Sequence, residues 1–167
     1  MTDKRQKDQF LDILEKNIGI IIKIARAYSR TLHDKEDLIN DITLELWKSF
    51  ARFKGGSKIS TWIYRVALNT SMNYKRKKEK DKLFFLDDLK EFESLNWLNE
   101  QQDSSHSDIL YLCIDELNDL NKAIILLYLD GNSHEEISDI TGISKTNVGT
   151  RIGRIKEQIK NLAITKI

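Results

Sequence analysis

The chain has 167 residues, of which 40% are hydrophobic and 32% charged, so it can bury a core as one domain or as two small ones. No apolar run approaches the length of a membrane span, and the amino terminus is rich in Asp and Lys, which argues against membrane insertion and a secretory signal. A single cysteine, Cys113, excludes an internal disulfide and suits a reducing, cytoplasmic location.

The net charge of +1 hides three regions of different charge. Residues 1–80 contain 18 Lys and Arg against 10 Asp and Glu, residues 81–119 contain 2 against 11, and residues 120–167 contain 7 against 5. A basic, an acidic and a mildly basic region indicate parts of the chain with different partners.

Apolar residues at helical spacing predict two helices in the first third of the chain, one over residues 10–28 and one through residues 39–50. Acidic residues at 34–37 precede the second series, where they suit the amino terminus of a helix. Gly55 and Gly56 then break the pattern, and a third helix is predicted directly after them.

The third helix, residues 61–74, interleaves aromatic, amide and cationic side chains and is followed by the basic run 75–78. Aromatic rings can stack on unpaired bases, amides can recognise base edges and cations can hold phosphates, so the segment suits nucleic-acid binding. The alternative is an amphipathic core helix with a basic, solvated end. The side chains expected to pack on the second helix are Ile63, Val66, Ala67 and Tyr74.

Residues 81–107 lose the helical period and are rich in Asp, Glu, Ser, Asn and Gln, which predicts an acidic linker. Helical periodicity returns from Ile109, and the sequence has no strand pattern and no internal repeat. We therefore predict an all-α protein of two small helical modules, residues 1–80 and 108–167, joined by this linker.

Residues 133–160 have the pattern of a helix-turn-helix. Ser133 and Glu136 fit a capping box, Gly142 suits the left-handed residue that ends a helix, and Ser144 can cap the next one. The second helix carries an inward apolar series, namely Val148, Ile152, Ile155, Ile159 and Leu162. Its opposite side is small, polar and basic, as a helix in the major groove requires, although an ordinary helical hairpin also has a polar outer face.

Enzymatic chemistry is not indicated by any motif. The histidines His33, His106 and His134 are isolated, without cysteine or acidic residues at metal-ligand spacing. No phosphate-binding glycine loop and no nucleophile elbow occurs. We expect no catalytic residue, no metal, no cofactor and no small-molecule substrate.

Two segments in a fixed order carry a family resemblance. The first comprises Glu36-Asp37-Leu38-Ile39-Asn40-Asp41 through Trp47, then Arg52-Phe53-Lys54-Gly55, then Thr61-Trp62 through Asn69. The second comprises Leu126-Leu127-Tyr128, Glu135-Glu136-Ile137, Gly142-Ile143-Ser144, Val148, Thr150-Arg151 and Arg154. Together they resemble a bacterial RNA polymerase sigma factor of the extracytoplasmic-function (ECF) group. The sequence departs from the usual family pattern at Asn40, Asn118, Gly149 and Gly153.

The resemblance implies three contact surfaces. The residues implied in binding core RNA polymerase are Asp37, Leu38, Asn40, Asp41 and Trp47. Those implied at the minus-ten promoter element are Lys54, Lys58, Trp62, Arg65, Asn69, Asn73, Lys75, Arg76 and Lys77. Those implied at the minus-thirty-five element are Lys145, Asn147, Gly149, Thr150, Arg151, Arg154 and Lys156.

The function implied by the resemblance is that of a non-catalytic subunit that binds core RNA polymerase, directs it to promoter DNA and stabilises the melted strand. The resemblance also implies an anti-sigma factor as a further partner. The alternative is a stand-alone helix-turn-helix regulator with a helical sensor or dimerisation domain. The basic run 75–78 argues against it, because a sensor domain has no use for cations beside aromatic side chains. A purely structural helical protein leaves the charge partition unexplained.

Overall fold

A computed structural model describes residues 2–82 and 106–166, with side chains from 3–80 and 108–166. This part of the chain forms seven α-helices and no strand, so the all-α prediction is confirmed. The chain divides into two compact units, Met1–Phe84 and Phe85–Ile167. The predicted linker, residues 81–107, lies outside the described residues except at its two ends.

The amino-terminal unit is a three-helix bundle in which each helix packs on the other two. Its helices are α1, Thr2–Tyr28; α2, Leu32–Phe50; and α3, Ile59–Lys82. The bundle begins at residue 2, earlier than the apolar period predicts, because the first turns of α1 are charged and carry no apolar signal. The core residues with almost no exposed surface are Ile21, Ile24, Leu38, Ile42, Leu46, Ile63 and Ala67.

The start of α2 is fixed by a side-chain cap. Thr31 is extended, and its hydroxyl accepts a hydrogen bond from the backbone N–H of Asp34 at 3.0 Å. This bond satisfies one of the free amides of the first helical turn, and the carboxylate of Asp34 lies at the positive end of the helix dipole. The predicted acidic start of the second helix is therefore confirmed, with α2 beginning at Leu32.

A cluster of aromatic rings joins the three helices and the connection between α2 and α3. Phe10 of α1 packs on Trp47 and Phe50 of α2, with ring centroids 5.1 and 5.4 Å apart. Trp62 of α3 packs on Phe50 at 6.1 Å and stacks on Phe53 at 4.8 Å. Offset and tilted pairs of this kind stabilise packing by about 0.5–1.5 kcal/mol beyond burial.

The carboxy-terminal unit packs three shorter helices on one long helix. The elements are α4, His106–Asp115; α5, Asp119–Leu129; α6, His134–Thr141; and α7, Lys145–Lys166, which contacts the other three. The buried residues at its centre are Cys113, Ile114, Leu117, Ala123, Ile124, Leu127, Ile137, Val148, Ile152 and Ile155. Of the inward series predicted on α7, Ile159 and Leu162 are only half-buried.

Local capping chemistry defines the helix-turn-helix, as predicted. Ser133 and Glu136 form both bonds of a capping box at the start of α6. Gly142 ends α6 with φ of 79°, in the left-handed region where glycine avoids a Cβ clash. Ser144 accepts from the backbone N–H of Asn147 at 3.2 Å, and Asn118 caps α5 through the N–H of Asn121 at 2.8 Å. The capping predictions are confirmed.

Two residues in the centre of this unit are chemically unusual. The side chain of Lys122 has none of its surface exposed, and its ammonium lies 3.4 Å from a carboxylate oxygen of Asp115. Cys113 is also fully buried, and burial raises the pKa of its thiol. Cys113 is therefore part of the apolar core of this unit.

Candidate nucleic-acid interfaces

The outward side of α2 combines acidic, amide and apolar side chains. Asp37, Asn40, Leu44 and Trp47 follow at steps of three, four and three residues, and Asp41 lies four residues after Asp37 and three before Leu44, which places all five on one face of the helix. Asn40 and Asp41 are exposed, while Leu44 and Trp47 expose 50% and 39% of their surface. Leu44 is absent from the sequence prediction, and it is an exposed leucine at the centre of this face.

Leu38 does not belong to that face. None of its surface is exposed, and it packs in the core of the amino-terminal unit. Leu38 and Ile42 are four residues apart and so occupy the same side of α2, the side that faces α1 and α3. The structure therefore corrects its predicted role from a direct contact to support of the contact helix.

An exposed polar stripe runs along α3. Arg65, Asn69, Asn73 and Arg76 are all exposed and follow at steps of four, four and three residues, so they share one face. The stripe spans roughly 17 Å at 1.5 Å per residue. Opposite it, Ile63, Tyr64, Ala67 and Leu68 are buried. The structure thus places these four of the predicted cationic and amide side chains together on one solvent-facing surface.

Trp62 continues the stripe at its amino-terminal end. The indole is half-buried and stacks on Phe53 with an interplanar angle of 20°. This stacking holds the ring in one orientation, so binding a ligand there would cost little rotamer entropy. Lys54 and Lys58, in the connection that precedes α3, are both exposed.

The basic run 75–78 is divided between two sides of α3. Arg76 and Lys77 are exposed, whereas Lys75 is half-buried and makes contacts within the chain. Lys78 lies 3.3 Å from the carboxylate of Asp34, at the start of α2. Consecutive helical residues point about 100° apart, so four adjacent cations cannot face one partner.

Tyr74 binds the same carboxylate as Lys78. Its hydroxyl donates a hydrogen bond to Asp34 at 3.2 Å. Burial and the negative charge of Asp34 raise the pKa of the Tyr74 hydroxyl well above its ordinary value, so it stays protonated and acts as a donor. The predicted contact of Tyr74 with the second helix is therefore confirmed, at the first turn of that helix.

The outer side of α7 presents Lys145, Asn147, Thr150 and Arg154, all of them exposed. Thr146 is also exposed and lies four residues before Thr150, on the same side as Arg154. The sequence prediction omits Thr146, although its polar character and spacing could have identified it. Small hydroxyl-bearing residues beside an arginine fit the edges of bases in a major groove.

Arg151 and Lys156 contact α5 within the unit. Arg151 donates from Nη1 to the side-chain oxygen of Asn121 at 3.2 Å, and its buried Nε has no hydrogen-bond partner. Lys156 donates to the hydroxyl of Tyr128 at 2.7 Å and lies 4.4 Å from the centre of that ring. Both residues are predicted DNA contacts that the structure shows engaged on their own unit.

The two glycines of α7 differ in their surroundings. A Cβ at Gly149 would lie 3.4 Å from Nδ1 of His134 on α6, at ordinary van der Waals distance. A Cβ at Gly153 would meet nothing within 4 Å. A Cβ would therefore fit at both positions, and packing within the unit requires glycine at neither.

Two family models match the chain, one in each unit. Residues 13–81 match Sigma-70 region 2, and residues 107–159 match Sigma-70 region 4. The ECF RNA polymerase sigma-E factor of Haemophilus influenzae is 30% identical over 149 residues, covering 83% of this chain and 78% of that protein. The sigma-E factor of Escherichia coli K12 is 31% identical over 154 residues, covering 83% and 80%. The chain belongs to the ECF sigma factors.

Solved structures share the fold of this ECF sigma factor. CnrH in complex with the cytosolic domain of CnrY has a TM-score of 0.68 at 17% identity, covering 96% of this chain and 91% of that one. The sigma factor RpoE of Bartonella quintana in complex with the anti-sigma factor NepR has a TM-score of 0.67 at 18% identity, covering 95% and 96%. As a sigma factor, the protein binds core RNA polymerase and directs transcription initiation at promoters.

Across residues 2–82 and 106–166, no group of His, Cys, Asp and Glu side chains could hold a metal ion. None of the helices in these two stretches is long and apolar enough to cross a membrane.

Proposed function

We propose that the two units divide promoter recognition, with the α3 stripe capturing the unpaired minus-ten strand and α7 recognising the minus-thirty-five duplex. In this division residues 1–80 and 108–167 act as the two DNA-binding modules, and residues 81–107 link them. The observation that supports it best is the exposed stripe of Arg65, Asn69, Asn73 and Arg76 beside the oriented ring of Trp62. Cations, amides and an aromatic ring on one face are what binding of single-stranded DNA requires.

Energetics favour capture of an open strand over active melting. Unstacking a base costs a few kcal/mol, and stacking it on an aromatic side chain returns about 1–3 kcal/mol. These contributions nearly balance, so the small amino-terminal unit would stabilise melted DNA while polymerase supplies the remaining free energy. The protein is then a non-catalytic specificity subunit that acts in the cytoplasm, where the polymerase is.

Polymerase binding is assigned to the exposed face of α2. Asp37 and Asp41 supply negative charge, Asn40 an amide, and Leu44 and Trp47 an apolar area. A partner surface with cations beside an apolar groove would complement this face, with charge guiding the encounter and burial of Leu44 and Trp47 stabilising the complex. Leu38 supports the helix from beneath.

An anti-sigma factor is proposed as a further partner. A structural neighbour, the Bartonella quintana factor, is seen in complex with an anti-sigma protein. An inhibitor that covers the exposed face of α2 would prevent polymerase binding directly.

Transcription with purified core polymerase on a promoter library tests the proposed function. Addition of the protein should produce initiation from a defined subset of promoters, whereas core polymerase alone should produce none. A charge-reversal variant, Asp41→Lys, should fail in the same assay because it disrupts the exposed face of α2. If the protein instead binds duplex DNA by itself in a gel-shift assay and gives polymerase no promoter specificity, it is a stand-alone regulator.

Arg154→Ala should weaken binding of the holoenzyme to minus-thirty-five DNA. Loss of one phosphate contact is expected to make the salt dependence of log Kd shallower by about 0.9. Arg151→Ala is the matched control, because Arg151 bonds Asn121 and should mainly lower the melting temperature of the carboxy-terminal unit. Affinity against salt concentration and thermal unfolding measure the two effects. Equal salt slopes for the two variants would contradict the assignment of Arg154 to DNA binding and of Arg151 to stability.

A further inference from the structure

Asp34 connects the helix assigned to polymerase with the helix assigned to DNA. It lies in the first turn of α2, and its side chain is only 13% exposed. One carboxylate oxygen accepts from the hydroxyl of Tyr74 at 3.2 Å and lies 3.3 Å from the ammonium of Lys78. The Lys78 ammonium also lies 5.7 Å from the centre of the Tyr74 ring. We call these three residues the Asp34 cluster.

The Asp34 cluster keeps Lys78 apart from the other cations near the end of α3. Arg76, Lys77 and Lys78 all have exposed side chains, that of Lys78 by 47%, but the ammonium of Lys78 is paired with a largely buried carboxylate. A phosphate bound at the α3 stripe could be reached by Lys78 only if its ammonium moved away from that carboxylate, which holds it on the α2 side of α3. The freed Asp34 would then lose its compensating charge in a half-buried position, beside Asp37 and Asp41 of the same helix.

We propose that Asp34 limits the sequence-independent part of DNA binding by holding Lys78 away from the phosphates that α3 contacts. Asp34 is thus a positioning residue that sets how many cations of the basic run reach the strand. Each phosphate contact strengthens binding to every sequence alike. It also steepens the plot of log Kd against log salt concentration, by about 0.7 in slope per contact for a single strand. The inference rests on the proposed role of α3 in binding the minus-ten strand.

Charge-neutral variants of the Asp34 cluster test this in the holoenzyme. The probe is a fluorescent single-stranded oligonucleotide from the minus-ten region of a promoter that the holoenzyme uses, with a scrambled strand beside it. Asp34→Asn keeps an oxygen that can accept from Tyr74 but releases Lys78. It should tighten binding of both strands by the same factor and steepen the salt slope by about 0.7. Over a fourfold change in salt concentration, that slope changes Kd by a further factor of roughly 2.6 relative to the native protein.

Two further variants assign the effect to Lys78. Lys78→Gln alone should leave affinity and slope unchanged, because Lys78 does not contact DNA in the native protein. The double variant Asp34→Asn with Lys78→Gln should return to the native slope. Tyr74→Phe is the matched control, since it removes a hydrogen bond to Asp34 without changing any charge, and it should keep the native slope.

Three results would overturn the proposal. A shallower slope for Lys78→Gln would show that Lys78 already binds phosphate. A native slope for Asp34→Asn would show that release of Lys78 adds no contact. A steep slope that persists in the double variant would assign the effect to repulsion between Asp34 itself and DNA.

Arg76→Gln and Lys77→Gln separate this inference from the proposed function. Each should make the slope shallower if α3 binds the strand. If neither does, the assignment of α3 to DNA fails. If both do while Asp34→Asn keeps the native slope, only the role of Asp34 fails. Melting temperatures of all variants identify any that lose binding through unfolding.

Discussion

Truncation of Leu38 to alanine is expected to lower the free energy of unfolding of the amino-terminal unit by about 2–5 kcal/mol. Leu38 has none of its surface exposed, so the substitution leaves a cavity between α2 and its neighbours in addition to the lost burial. Urea unfolding followed by circular dichroism measures the effect. Polymerase binding should fall only to the extent that the unit unfolds, and low temperature should restore it.

Leu44→Ala is the matched control for Leu38→Ala, because it makes the same chemical change on the same helix. Leu44 exposes 50% of its surface, so its truncation should change the free energy of unfolding by less than about 0.5 kcal/mol. It should nevertheless weaken binding to core polymerase, measured by titration with labelled protein. The reverse pattern, with Leu38 essential for binding and neutral for stability, would place the contact on the other side of α2.

Replacement of Asn69 by alanine is expected to reduce open-complex formation by roughly 5- to 150-fold. Asn69 is exposed at the middle of the α3 stripe, where its amide can bond the edge of an unpaired base. Loss of that bond with the partner left unsatisfied costs about 1–3 kcal/mol. The rate and yield of open complexes on a promoter fragment, followed by permanganate reactivity of unpaired thymines, provide the measurement.

Core polymerase binding by Asn69→Ala should equal that of the native protein, because Asn69 lies on α3 and the proposed polymerase-binding face lies on α2. Thr70→Ala is a control on the next residue of α3, which is half-buried and turned away from the stripe. It should form open complexes normally. Unchanged melting with Asn69→Ala would move the base-binding position elsewhere on the stripe.

Local chemistry made much of the fold predictable. The caps at Ser133, Gly142 and Ser144 depend on side chains and backbone angles within one helical turn, and each is present as predicted. The alternation of buried and exposed positions on α3 follows from helical periodicity alone. The family resemblance is confirmed by both matched regions, one in each unit.

Roles that depend on packing between helices were not predictable in the same way. The contacts of Arg151 with Asn121 and of Lys78 with Asp34 join residues 30 and 44 positions apart, so no local sequence pattern predicts them. Leu38 is a different case, since it lies four residues before Ile42 and eight before Leu46, both buried. Periodicity could have identified it as core, but the family resemblance assigned it to the surface.

Burial of Cys113 has a consequence for signalling by oxidants. Peroxides and disulfides react with thiolates that they can reach, and this thiol is both fully covered and kept protonated by its surroundings. No second cysteine occurs in these 167 residues to pair with it. While the carboxy-terminal unit is folded, Cys113 is therefore not accessible to oxidants that would signal a change in cellular redox state.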